Sequence, residues 1–349
     1  MSGSIRIPIF RTSLISLLAM ILLGDPSRLQ AGDLKNPAPP PGTTSKKETM
    51  ADAWFTGPLV APAADPNKPG QWVIEPYLLS NINYGTFGRN MNIDRSAHNT
   101  YTLSSMWFIK YGLTDRLSWF MFPSFGYTLG HDSNSSSVHF GDFKTGLQYT
   151  FYQFQPDSWI PTISFALSEI FPTGQYDDLG THPHDAFGLG SFQTEFGPRF
   201  QHYLWLPNGR ILQTRLSLAM DVPTGTDGVS NASVFGTKKG FRGHANLGNQ
   251  YKADLSFEYS LTSHWVPVIE FVYTHSDKTD VAGMQQLSSG LASIPVRSSL
   301  QSKDFFEIDP AIEYNFNKDV GIIAGAQIAT IGRNTGASVI PQIAVHIFY

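Results

Sequence analysis

From residue 72 onward the chain alternates apolar and polar positions with a period of two, the repeat of a β-strand whose successive side chains point to opposite faces. Stretches of this kind run over residues 72–82, 100–111, 117–127, 139–152, 159–171, 192–204, 211–222, 251–261, 265–276, 304–316, 319–331 and 340–349. In 251–261, Tyr251, Ala253, Leu255, Phe257, Tyr259 and Leu261 alternate with Lys252, Asp254, Ser256, Glu258 and Ser260. In 304–316, Phe306, Ile308, Pro310, Ile312, Tyr314 and Phe316 alternate with Phe305, Glu307, Asp309, Ala311, Glu313 and Asn315. Stretch 319–331 separates its faces less cleanly, with Ile322 on one and Ile323 on the other. The last stretch sets Ile343, Val345, Ile347 and Tyr349 against Gln342, Ala344 and His346.

The connections also alternate. Short turns at 112–116, 155–158, 207–210, 262–264 and 317–318 are interleaved with long polar loops, among them 85–98, 172–188, 223–247 and 277–302. An even strand number with this rhythm predicts an all-β fold, a transmembrane antiparallel β-barrel of about 12 strands over residues 71–349. Short turns would face the periplasm and long loops the exterior. A soluble sandwich shows the same alternation, so the position of the aromatics is what discriminates. Tyr111, Trp119, Tyr149, Phe151, Trp159, Tyr259, Trp265, Tyr314, Phe316 and Tyr349 share the apolar parity and gather near the short-turn ends, as an interfacial girdle would.

The N-terminal region fits export. Arg6 and Arg11 precede an apolar run at 14–23, then Gly24, Asp25 and Pro26, with a processing site at Leu29, Gln30 and Ala31 before Gly32. A signal peptide at 1–31 is expected, because so short a run does not span a bilayer as a helix. No later stretch is apolar for the roughly 18 residues that a helical span needs, so any membrane crossing is made by strands. Residues 32–70 are rich in Pro and Lys and read as a flexible periplasmic arm. Its one apolar island, 54–60, is suited to dock on or inside the barrel. At the other end, Ile343, Val345, Ile347 and Tyr349 resemble the terminal signal read by the barrel-assembly machinery.

Composition narrows the partners. Charged residues are only 15% and aromatics 13%, which suits an exterior in contact with outer-membrane lipids. The net charge of -4 offers no footprint for nucleic acid. The absence of cysteine excludes disulfides, thiolate metal sites and a lipid-modified N-terminal Cys. No nucleotide fingerprint stands between a strand and a helix, and no cofactor is expected.

Three motifs carry a resemblance. Residues Gly141-Asp142-Phe143-Lys144-Thr145-Gly146-Leu147-Gln148-Tyr149, the turn Tyr111 to Trp119, and Phe171-Pro172-Thr173-Gly174-Gln175-Tyr176 followed by Leu189-Gly190-Ser191 resemble the barrel family named for the meta-pathway of phenol degradation. The resemblance implies an outer-membrane transporter of aromatic or other hydrophobic compounds over residues 71–349.

On the polar parity stand the lumen candidates Glu75, Lys110, Asp142, Lys144, Glu195, Arg199, Arg215, Asp221, Lys252, Asp254, Glu258, Glu270, Glu307, Asp309 and Glu313. They could line a pore for a small-molecule solute or pair with one another as interior packing. The expected function is passage of small molecules; the alternative is a structural or adhesive barrel with a filled lumen, its exposed loop 225–247 carrying Lys238, Lys239, Arg242 and His244. Hydrolysis by His275 and Ser276, with Asp277 or Asp280, is disfavoured because adjacent strand residues face opposite ways. Asp177, Asp178, His182, His184 and Asp185 could bind a divalent ion, although a solvated loop explains them more simply, and no metal site is expected.

Overall fold

The computed structural model describes residues 47–349 apart from 157, 227 and 288–291. The expected signal peptide and the first part of the arm, 32–46, lie outside the described residues. The strands are β1 (Trp72–Phe87), β2 (Ile93–Gly112), β3 (Leu117–Phe122), β4 (Ser124–Leu129), β5 (His139–Phe140), β6 (Phe143–Tyr152), β7 (Thr162–Phe171), β8 (Ser191–Trp205) and β9 (Ile211–Thr226). They continue with β10 (Val229–Ser230), β11 (Phe241–Asn246), β12 (Gln250–Tyr259), β13 (Trp265–Ser276), β14 (Thr279–Gln286), β15 (Ser293–Leu300), β16 (Lys303–Asn315), β17 (Val320–Arg333) and β18 (Thr335–Phe348).

Twelve antiparallel staves close into a barrel, because β1 pairs with β2 on one side and with β18 on the other. Two staves are composite. Pro123, which has no amide hydrogen for a ladder, divides the expected stretch 117–127 into β3 and β4. The stretch 139–152 breaks between β5 and β6 at Gly141 and Asp142. Closure brings Tyr77 opposite Ala344, and the Trp72 amide donates to the Tyr349 carbonyl at 2.7 Å.

Polarity is the reverse of a soluble protein's. Asp254, Ser256 and Glu258 of β12 are buried, while Leu255 between them is 38% exposed. In β16, Glu307, Asp309 and Glu313 are buried and Ile312 is 40% exposed. The parity read from the sequence therefore places charge inside and aliphatics outside. At the short-turn end the outward aromatics touch: Trp72 with Tyr111 at 4.5 Å between ring centres, Tyr149 with Phe151 at 5.1 Å, and Trp265 with Tyr314 at 4.7 Å.

The long loops are less irregular than expected. Segments 223–247 and 277–302 supply β10, β11, β14 and β15, which form a separate four-stranded antiparallel sheet. Val229, Phe235, Phe241, Ala245 and Val281 make a small buried core there. Neither loop has enough apolar residues to bury alone; paired through Ala245 opposite Val281, they cover each other. The expected loop 85–98 is likewise shorter, since β1 runs to Phe87 and β2 begins at Ile93.

Candidate functional site in the lumen

The described part of the arm, Lys47 to Gly70, runs among inward side chains of the barrel. Its course begins at the turn between β8 and β9, where Glu48 accepts from Ser260, from the Ile211 amide at 3.2 Å and from Arg210 at 3.2 Å. Trp54 lies edge-on to His264. Glu313 then accepts the Thr56 amide at 2.7 Å and the Gly57 amide at 3.3 Å, and Thr56 Oγ1 donates to Asn315 at 2.7 Å. Gly57 has φ of 117°, and the Arg215 guanidinium lies 3.1 Å from where its Cβ would stand, so glycine suits both the backbone and the space.

Glu270 of β13 is the central anchor. It accepts the amides of Leu59 at 2.6 Å, Val60 at 3.1 Å and Ala61 at 2.8 Å. Arg215 donates to the Ala61 carbonyl at 3.1 Å. Further on, Gln148 donates to the Ala64 carbonyl at 2.8 Å, and the Ala64 amide donates to Gln201 at 3.0 Å. Asp65 accepts from Thr162, Gln201 and Tyr203, and Lys110 donates to the Asp65 carbonyl at 2.7 Å. The path ends where the Gly70 amide donates to Gly112, beside the turn between β2 and β3. An extended segment interrupted by Pro58, Pro62 and Pro66 makes few hydrogen bonds of its own, and the lumen supplies partners for its buried amides.

The other candidates divide by partner. Arg215 pairs with Glu258 at 3.1 Å, and Lys144 pairs with Glu195. Arg199 donates to Gln148 at 2.6 Å and lies over the Phe120 ring. Glu75 meets His346 at 2.6 Å and accepts from Tyr77. Asp142 stands off the strands and accepts the Gly174 and Leu189 amides at 2.9 and 2.8 Å, fastening the loop between β7 and β8. Asp221, Lys252, Asp254, Glu307 and Asp309 have no ion-pair partner among the described residues.

A cavity of about 1360 Å³ runs beside the arm. Asp115 and Lys318 line it at the short-turn end, and Lys144, Glu195, Lys252, Asp254 and Glu307 line it further in. One wall is apolar: Leu79, Met106, Phe108 and Phe122 face the cavity, with the Phe108 and Phe122 rings stacked at 4.9 Å. Sequence reasoning passed over this wall because it looked on the inward parity only for charge. Phe108 stands two residues from Lys110, and Phe122 is the Cα partner of Lys144, both on that same inward face. Glu48, Asp65, Gln148 and Gln201 were also missed; nothing in their local pattern marks a partner as remote in sequence as the arm.

Outside the lumen, His275 bonds to Asp304 at 2.8 Å while Ser276 accepts from Gln250 at 3.1 Å, so the two point to different partners. Asp177 accepts the Ser230 amide, Asp178 accepts from Asn231, and Asp185 accepts from Ser136 and pairs with His139 at 3.0 Å. Among the described residues no group of three or more His, Asp or Glu is arranged to hold a metal ion. Arg242 and His244 of the basic loop lie on β11 of the small sheet.

No family model matches the sequence, and no curated protein does either. Among solved structures, the COG4313 outer membrane channel from Pseudomonas putida F1 is similar at 12% identity and a TM-score of 0.62, over 83% of this chain and 100% of that one. That likeness shows a shared barrel fold. The Ralstonia pickettii toluene transporter TbuX also matches, at 11% identity over 87% of this chain and 96% of that one; its TM-score of 0.37 is too low to carry an argument.

Proposed function

We infer that this protein is an outer-membrane channel for small molecules, with its short turns in the periplasm and its small sheet outside the cell. The observation that carries the reading is the pairing of an apolar, aromatic-girdled exterior with a polar interior that encloses a cavity of about 1360 Å³. In water such an exterior would be a very large exposed patch; in a bilayer it is the expected surface. The fold shared with the COG4313 channel supports the same reading.

Residues 1–31 serve as a cleaved signal in this reading, 32–70 as the arm and 71–349 as the barrel. Between residues 47 and 70 the arm narrows the lumen near its periplasmic end, and solutes pass beside it or after it loosens. The apolar wall around Phe108 and Phe122 suits hydrophobic or aromatic solutes, in keeping with the meta-pathway family resemblance. Single-channel conductance in planar bilayers tests the proposal, comparing the chain from Gly32 with one from Pro69. Conduction by both, larger in the shorter form, is the expected result. Silence from both would replace the channel with a structural or adhesive barrel.

A further inference from the structure

Most lumen carboxylates are committed. Glu270 and Glu313 hold the arm, Glu258 holds Arg215, Glu195 holds Lys144, and Glu75 holds His346. Three on the wall made by β12, β13 and β16 are not. Asp254 is 1% exposed and no amide, hydroxyl or basic group donates to either of its carboxylate oxygens; the group beside it is the Glu270 carboxyl, which is engaged by the arm. Asp309 is 0% exposed and its oxygens are also unpartnered, with the Ile328 amide alongside but outside hydrogen-bond geometry. Glu307 has no ion pair and lines the same cavity as Asp254.

Register fixes the shape of this patch. Val272 is the Cα partner of Asp254 on one side and of Glu307 on the other. The two acids thus flank an aliphatic floor, with their backbones about 10 Å apart across two strand spacings. Asp309 is two residues from Glu307 on the same face. Lys252, two residues from Asp254, is the base that stands with them, one positive charge among three carboxyls. Carboxyls at this spacing do not converge on one metal ion, in agreement with the absence of any metal-ready group among the described residues. They do leave room for a larger cation. In a ring of twelve staves, β12 and β13 stand six staves from β2 and β3, which carry Phe108 and Phe122 on the far side of the same cavity.

We propose that the lumen holds a subsite for organic cations, in which Asp254 and Glu307 receive an ammonium or amidinium group and the opposite apolar wall receives its hydrocarbon or aromatic body. A buried acceptor without a donor is costly, and a cation entering the lumen supplies what the wall lacks. The subsite rests on the channel reading and narrows its substrates to amphipathic cations.

The test uses two aromatic ions of similar size that stay charged at neutral pH, benzamidinium, which carries N–H donors, and benzenesulfonate, with protein-free vesicles as the blank. The protein is reconstituted into phosphatidylcholine vesicles and uptake of each labelled ion is measured. The expected result is faster uptake of the cation, with the cation-to-anion ratio falling roughly tenfold in the Asp254→Asn, Glu307→Gln double variant. Asp254→Glu, which keeps the charge, should retain most of the ratio. Equal uptake, or preference for the anion, overturns the subsite and leaves the channel standing. Uptake of neither ion overturns both. Should the double variant fail to fold, calorimetric titration of the wild-type protein in detergent with benzamidinium decides: saturable binding supports the subsite, and absence of binding removes it.

Discussion

Glu270 shows how much one side chain can organise. Its carboxyl oxygens take three consecutive amides of the arm, which would otherwise be buried without acceptors. Glu270→Gln turns an NH2 donor toward amides that need acceptors. We expect it to loosen the arm by about 1 to 3 kcal/mol. The measurement is amide hydrogen exchange at Leu59, Val60 and Ala61, which should quicken, while exchange in β17 should not. On the outer face the argument concerns lipid. Leu255→Lys or Ile312→Lys places a charge on exposed aliphatic positions and should cost roughly 2 to 4 kcal/mol if they lie near the midplane. A lower temperature for loss of the folded band in unheated gels would register it; an unchanged temperature would count against the membrane-facing assignment. At the long-loop end, burial works to raise the Asp185 carboxyl, but the Ser136 hydrogen bonds and His139 hold it below the usual carboxylate value. A depressed acid stabilises fully above its ordinary value, and that contribution is lost as pH falls through its folded value. Protease cleavage near Ser136 should therefore become faster in acid and not near neutrality.

Individual strands were legible to very different degrees. The Trp265–Ser276 strand matches its sequence reading residue for residue, with a short turn ahead of it and Trp265 marking its start. The stretch 117–127 was harder: Pro123 fits the apolar and polar rhythm while withholding a ladder donor, so periodicity ran straight across a break. The small sheet left almost no local signal. Strands such as β10, with two residues, become visible only through partners more than ten residues away. Its independence from the barrel is testable. Replacing residues 279–300 with a short Gly-Ser turn should leave the barrel's heat stability unchanged and expose Val229 and Phe241 to protease; a barrel that failed to form would show the sheet to be part of its frame. The arm was the least legible element, since Pro-rich sequence reads as linker whether its amides face water or the carboxylates of a distant wall.

At the scale of the whole molecule, the closed ring of twelve staves was readable from parity, turn length and the aromatic girdle, while the contents of the ring were not. Charges on the inward face announced a polar lumen. Which of them would bind the arm, pair with each other or stay unpaired depends on residues brought together by closure, as Glu313 is with Thr56. That same arrangement bears on how the chain acquires its shape. The seam joins β1 to β18, segments almost the full length of the barrel apart, and such distant pairing is entropically slow to form. The arm immediately precedes β1 and already touches β6, β8, β9, β13 and β16, and Ser260 just beyond β12. It is placed to act as a mandrel, gathering staves around itself before the seam zips. Chains that begin at Pro69 should then reach the folded band more slowly in refolding time courses than chains that begin at Gly32, and an added peptide of residues 47–68 should restore part of the lost speed.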